Sequence, residues 1–174
     1  MMARRDDLRS TARREYQRVG NRQLDADGIA DRVMLMEAGR IARGGTTEEL
    51  YGQPDSLLVA RFFGDFNEVE GIVRSGAITT PIGIFAAPDL AEGTAAVICI
   101  RPHDLALTPR VDGTFAATVV GRAFVGDEIV LTLWVLSLSQ PLQVRAPMHT
   151  IAAVGDAVGV RLAVADALVF PASG

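Results

Sequence analysis

Residues 30–64 read ADRVMLMEAGRIARGGTTEELYGQPDSLLVARFFG, and the order of signals within them sets the architecture. Residues 32–36 are an apolar run, 37–39 supply a turn in which Gly39 tolerates a positive φ, and 40–43 return as a partner, so the pattern predicts a β-hairpin. Two glycines follow. Thr46 then has Glu49 three residues on, the spacing at which hydroxyl and carboxylate satisfy each other's backbone N–H at a helix start. Gly52 and Pro54 end that helix early. Asp55 or Ser56 is placed to cap a second helix, carried by Leu57, Leu58, Ala60, Arg61, Phe62 and Phe63 and stopped at Gly64. A helix this apolar needs a partner surface, which makes Leu57, Leu58, Phe62 and Phe63 the expected interface residues.

Beyond residue 64 the texture changes to short β-like runs punctuated by Gly and Pro. Runs at 69–74, 77–80, 95–101, 115–124, 127–136, 142–146, 157–164 and 167–170 give about eight strands at the spacing of an all-β barrel or sandwich. Val125-Gly126-Asp127 makes a tight connection between two long strands, and Gly155-Asp156 marks another turn. Closing such strands into a barrel removes their unpaired edges. The reading is a mainly β chain with an α+β N-terminal part, in two domains, 1–64 and 65–174.

Charge and composition limit the functions open to it. Residues 1–22 carry a balance of +4 against −8 for the remainder. The stripe Leu8, Ala12, Tyr16, Val19 nevertheless favours a helix docked on a neighbour over a basic binding arm. The longest uncharged run, 129–144, includes Thr132, Ser137, Ser139, Gln140 and Pro141 and falls short of a membrane span. No N-terminal segment joins a basic start to an apolar core, so no secretory signal is expected. Cys99, the single cysteine, sits in the apolar run 95–100 and reads as a small buried hydrophobe, which suits the cytoplasm. Nucleic-acid binding is disfavoured, because acidic residues outnumber Arg after residue 64 and the aromatics there alternate with other apolar groups. All 17 basic residues are Arg. The phosphate-binding loop GxxxxGK[ST], whose Lys reaches the β and γ phosphates, therefore has no place in this sequence.

The order strand, "GRI" hairpin, glycine, T-x-E-E-L-Y helix, proline and "ARFFG" helix resembles the end of the nucleotide-binding domain of bacterial ABC importer ATP-binding subunits of the ferric, polyamine and sugar type. The phrases "IRPHDL", "VVGRAFVGDEIVLTL" and "AVGDAVGVRLAVADALVF" resemble the OB-like barrel appended to it, the TOBE domain. The resemblance implies a remnant of the ATPase domain over 1–64 and an OB-like β-barrel over 65–174. It also implies what is lost: aligned on Ala30, Asp31 and Arg32, the family's switch histidine falls on Asn21 and its glutamate on Asp25. No signature motif precedes them, so the expectation is a truncated or degenerate subunit without hydrolysis and without the family's ATP and Mg. Implied partners are a second copy or other ABC transporter subunits, with the membrane reached only through them, at its inner face.

One local constellation has polar character, Arg101-Pro102-His103-Asp104. Pro102 fixes its own φ and biases Arg101 toward extended geometry, so the loop presents Arg101, His103 and Asp104 at the end of an apolar strand. The resembled motif has glutamate where His103 stands, and there this loop helps dock the barrel. The expected role is structural, with Arg101 paired to an acid or to carbonyls and Asp104 capping a turn. One His and one Asp are too few ligands for a metal, and His149 is far off in sequence. No Ser-His-Asp or Cys-His arrangement is present, so no catalytic residue is expected. The function expected is an accessory, regulatory domain that mediates subunit dimerisation or control of transport. The alternative is a small-ligand sensor in which Arg101 and Arg122 hold an oxyanion, metal or substrate.

Overall fold

A computed structural model describes residues 32–37, 40–110, 115–162 and 167–172. The helix expected within 1–22 and the positions aligned across 21–31 lie outside these residues. The chain divides into two compact units, Met1–Gly64 and Asp65–Gly174.

In the first unit, β1 (Val33–Glu37) pairs antiparallel with β2 (Arg40–Gly45), with a bulge between Leu35 and Met36. Helix α1 (Thr47–Gly52) starts at a complete capping box: the Thr46 hydroxyl accepts from Glu49 N–H at 3.1 Å, and the Glu49 carboxylate accepts from Thr46 N–H at 3.0 Å. Helix α2 (Leu57–Phe63) is capped by Ser56, whose hydroxyl accepts from Val59 N–H. Asp55 instead pairs with Arg43 at 2.8 Å. A small cluster of Leu35, Leu50 and Val59 is buried here, with Val33, Phe62 and Phe63 packed against it.

The second unit is mainly β, as the alternation of its sequence predicts. Ten strands are described: β3 (Asn67–Ile72), β4 (Ala77–Thr80), β5 (Gly83–Ala86), β6 (Ala95–Ile100), β7 (Leu105–Thr108), β8 (Phe115–Val125), β9 (Glu128–Trp134), β10 (Leu142–Pro147), β11 (Ala157–Leu162) and β12 (Leu168–Pro171). They form a five-stranded sheet in the order β10-β9-β8-β11-β7, a three-stranded sheet β12-β6-β3 and the hairpin β4-β5. All the described strand pairs are antiparallel. One core unites the sheets, with Ile98 and Ile100 from one, Leu131, Leu133, Val144 and Val160 from the other, and Ile78 and Phe85 from the hairpin. Strand β10 alternates buried and exposed residue by residue, while β6 is buried continuously from Ala96 to Ile100, as a central strand covered on both faces must be. Gly71 is required by that packing: a Cβ there would collide with Cγ2 of the fully buried Ile78.

Two four-residue strands, β5 and β7, join the eight runs that alternation marks. Strand β7 is defined by its pairing with β11, more than fifty residues on. Strand β8 departs from simple alternation for a different reason. A bulge between Val119 and Gly121 leaves Val120 unopposed on β9. Before it the odd residues Phe115, Ala117 and Val119 are buried; after it Arg122 and Phe124 stand opposite the buried Leu131 and Ile129. The β8–β9 hairpin closes through Gly126, at φ +65°, and Asp127.

Candidate functional site

The polar constellation of the barrel is assembled at the β6–β7 turn. Pro102 occupies the second position of a turn closed by Asp104 N–H donating to the Arg101 carbonyl at 3.0 Å. Asp104 thus closes the turn through its backbone, where its side chain was the expected cap. Pro102 is buried, and its carbonyl accepts from the N–H of Arg145 on β10 at 3.0 Å. The Arg101 guanidinium lies 5.2 Å from the centroid of the Phe66 ring, a cation–π contact.

Next to Phe66, Asn67 supplies a second tie. It is the one buried polar residue among those described, 6% exposed, and its amide copies a β-ladder: Nδ2 donates to the Gln143 carbonyl at 2.8 Å and Oδ1 accepts from Gln143 N–H at 2.6 Å. Phe66 and Asn67 open the barrel unit, so the turn and the start of β3 are both fastened, the latter to β10. The arrangement holds a strand entry in place; it offers no nucleophile with a base. His103 is half exposed, with Nε2 3.4 Å from Asp104 Oδ1. Asp104 Oδ2 is buried without a hydrogen-bond partner. Among the described residues no group of three His, Cys, Asp or Glu is placed to hold a metal ion.

Arg122 is elsewhere. It is exposed on β8 past the bulge, its guanidinium 4.9 Å from the centroid of the Phe124 ring. The two arginines considered as a joint anion site therefore sit in different elements, each over its own aromatic ring. The apolar helix residues divide as well. Leu57 is buried, 6% exposed, and so is no part of an exposed interface; Leu58 is exposed, and Phe62 and Phe63 are half-buried, edge to face at 5.0 Å and 65°. Their ring pair packs on the Leu35–Leu50–Val59 cluster within the first unit. Large exposed apolar side chains occur in both units: Met34, Met36, Tyr51 and Leu58 in the first, and in the barrel notably Val120, Phe124 and Val125 of β8 and Ile151, fully exposed, after β10.

Phe66, Asn67, Gln143 and Arg145 belong to the site and carry no sequence signal for it. Asn67 and Gln143 are 76 residues apart, and only the fold makes them neighbours.

With this geometry in view, the chain can be placed among known proteins. Residues 98–170 match the TOBE domain. The chain is 35% identical over 157 residues to the Fe(3+) ions import ATP-binding protein FbpC of Streptomyces coelicolor, covering 90% of this chain and 44% of that protein. It is 31% identical over 167 residues to the sulfate/thiosulfate import ATP-binding protein CysA of Mesorhizobium japonicum, covering 90% of this chain and 48% of that protein. The solved structure of the cytoplasmic molybdate-binding protein ModG overlaps it with a TM-score of 0.49 at 12% identity, over 60% of this chain and 95% of that one. The chain thus matches the C-terminal part of ABC importer ATP-binding subunits, and residues 98–170 of its barrel match the TOBE domain. It spans less than half the length of these curated relatives. No helix among the described residues is long and apolar enough to cross a membrane.

Proposed function

We propose that this chain is the accessory, regulatory part of an ABC importer's ATP-binding subunit, and that it acts by binding another protein chain, a second ATP-binding subunit or another subunit of the transporter. The observation that carries the reading is the TOBE match over 98–170 in a chain that aligns with the C-terminal part of import ATP-binding proteins. The described geometry is consistent with it. The polar turn at 101–104 fastens strands together, and the exposed surface of the barrel is apolar at several large side chains, which suits contact with protein. Hydrolysis is not expected of this chain, because the Lys of a phosphate-binding loop is missing from its composition. The proposed location is the inner face of the plasma membrane, reached through transporter partners.

Two measurements on the 174-residue chain test this together. ATP with Mg at millimolar concentration is expected to leave the melting temperature unchanged and to release no phosphate, since a ligand of the native state must raise that temperature. The tagged chain, expressed with its importer's permease and ATP-binding subunits, is expected to co-purify with them. Measurable hydrolysis, or recovery of the chain without any transporter subunit, overturns the reading.

A further inference from the structure

The far half of β8 has an open edge. Strand β11 pairs with β8 from Phe115 to Thr118, and the last ties on that side are Val119 N–H to the Asp156 carbonyl and Gly155 N–H to the Val119 carbonyl. From Val120 to Val125 the only strand neighbour among the described residues is β9. This open stretch is also apolar and exposed: Val120 is 47% exposed, Phe124 66% and Val125 48%. An unpaired row of N–H and C=O groups flanked by such side chains is a template for another extended strand.

The sequence of the edge says which strand. Val120-Gly121-Arg122-Ala123-Phe124-Val125-Gly126 is self-complementary about Ala123. An antiparallel pair centred there sets each Arg122 opposite Phe124 of the second copy, extending across the axis the guanidinium–ring contact already present within one strand. On the other face each Val125 meets the bare Gly121, and small Ala123 meets its own copy at the axis. Neighbouring registers are worse. Centring on Arg122 puts two like charges directly opposite, and centring on Phe124 leaves Arg122 opposite Gly126 with no partner. From this edge we infer that two copies of the chain associate by antiparallel pairing of β8 across a two-fold axis at Ala123. The inference deepens the reading above by naming the partner and the surface, and it rests on that reading only for what the dimer serves.

The test uses the whole chain. The wild type is expected to sediment as a dimer at micromolar concentration. Phe124→Lys sets a like charge against Arg122 of the second copy and is expected to weaken the dimer by about tenfold or more, with circular dichroism unchanged because the ring is exposed. Ala123→Cys brings two thiols to a pair whose Cα atoms stand about 4.5–5.5 Å apart, within disulfide reach. Oxidation is then expected to give a covalent dimer, while Ala86→Cys on the β4–β5 hairpin gives none; the native Cys99 is buried. A chain that stays monomeric at about 100 µM, a dimer indifferent to Phe124→Lys, or a failure of Ala123→Cys to cross-link overturns the pairing. The accessory-domain reading is judged separately, by co-purification with the transporter subunits.

Discussion

The two units are held by different kinds of interaction. The described part of the first is organised by contacts close in sequence: a hairpin, a capping box three residues wide, a serine cap and a cluster of three buried residues. The barrel depends on pairings between distant segments, with β3 joined to β6, β7 to β11 and the Asn67 amide to Gln143. Local signals can be read from a sequence because cause and effect lie within one turn. Non-local ones are created by the fold. The practical consequence is that single substitutions should separate the units: barrel changes should be large and reported by Trp134, the chain's one tryptophan, while first-unit changes should be smaller and reported by helical ellipticity.

Asn67→Leu carries the largest expected effect. It removes two short hydrogen bonds and leaves the N–H and carbonyl of Gln143 facing an apolar group, at about 1–3 kcal/mol for a buried group left unsatisfied. Urea unfolding followed by Trp134 fluorescence is expected to shift by about 2–3 kcal/mol, with the ellipticity of the helices lost at its former midpoint. If both signals move together, the two units unfold as one and the separation drawn here fails.

This contrast also explains what was legible before the structure. The capping box, both helices, the first hairpin and most barrel strands follow from spacing and alternation. The turn at 101–104 was legible as a turn, because Pro102 announces it. Its partners were not: Phe66 lies 35 positions upstream of Arg101, and the β10 atoms that receive the turn are backbone, which any residue supplies. Leu57 and Leu58 illustrate a further limit. Both are leucine on one short helix, and only packing decides that the first is buried and the second exposed. The β8 bulge is the remaining case, since one inserted residue shifts the phase of everything after it: Arg122 and Phe124 stand opposite the buried Leu131 and Ile129, where plain alternation from Phe115, Ala117 and Val119 would have set Gly121 and Ala123.

Thr46→Ala sharpens the comparison from the other side. The hydroxyl satisfies Glu49 N–H, and its loss removes one half of the capping box, at about 1 kcal/mol for a Thr cap. Ellipticity at 222 nm is expected to be lost at lower urea, with the Trp134 transition unmoved. An unchanged helical signal would mean that α1 is held by Leu50 in the cluster and owes little to its cap.

The smallest effects are expected at the exposed ion pairs, and they test whether charge contributes to the difference between the units at all. Arg43 and Asp55 approach to 2.8 Å in the first unit, Arg145 and Glu128 only to 3.4 Å in the barrel, and all four side chains are 40–51% exposed. Solvent screens both, so Asp55→Asn and Glu128→Gln should each cost about 0.5 kcal/mol or less, and less again in high salt. The shorter pair bridges β2 to the residue preceding the α2 cap, so Asp55→Asn should be the more visible of the two, in the helical signal alone. A larger loss from Glu128→Gln would locate an electrostatic contribution in the β9–β10 pair that its geometry does not suggest, and would give the barrel a dependence on surface charge that its buried core makes unnecessary.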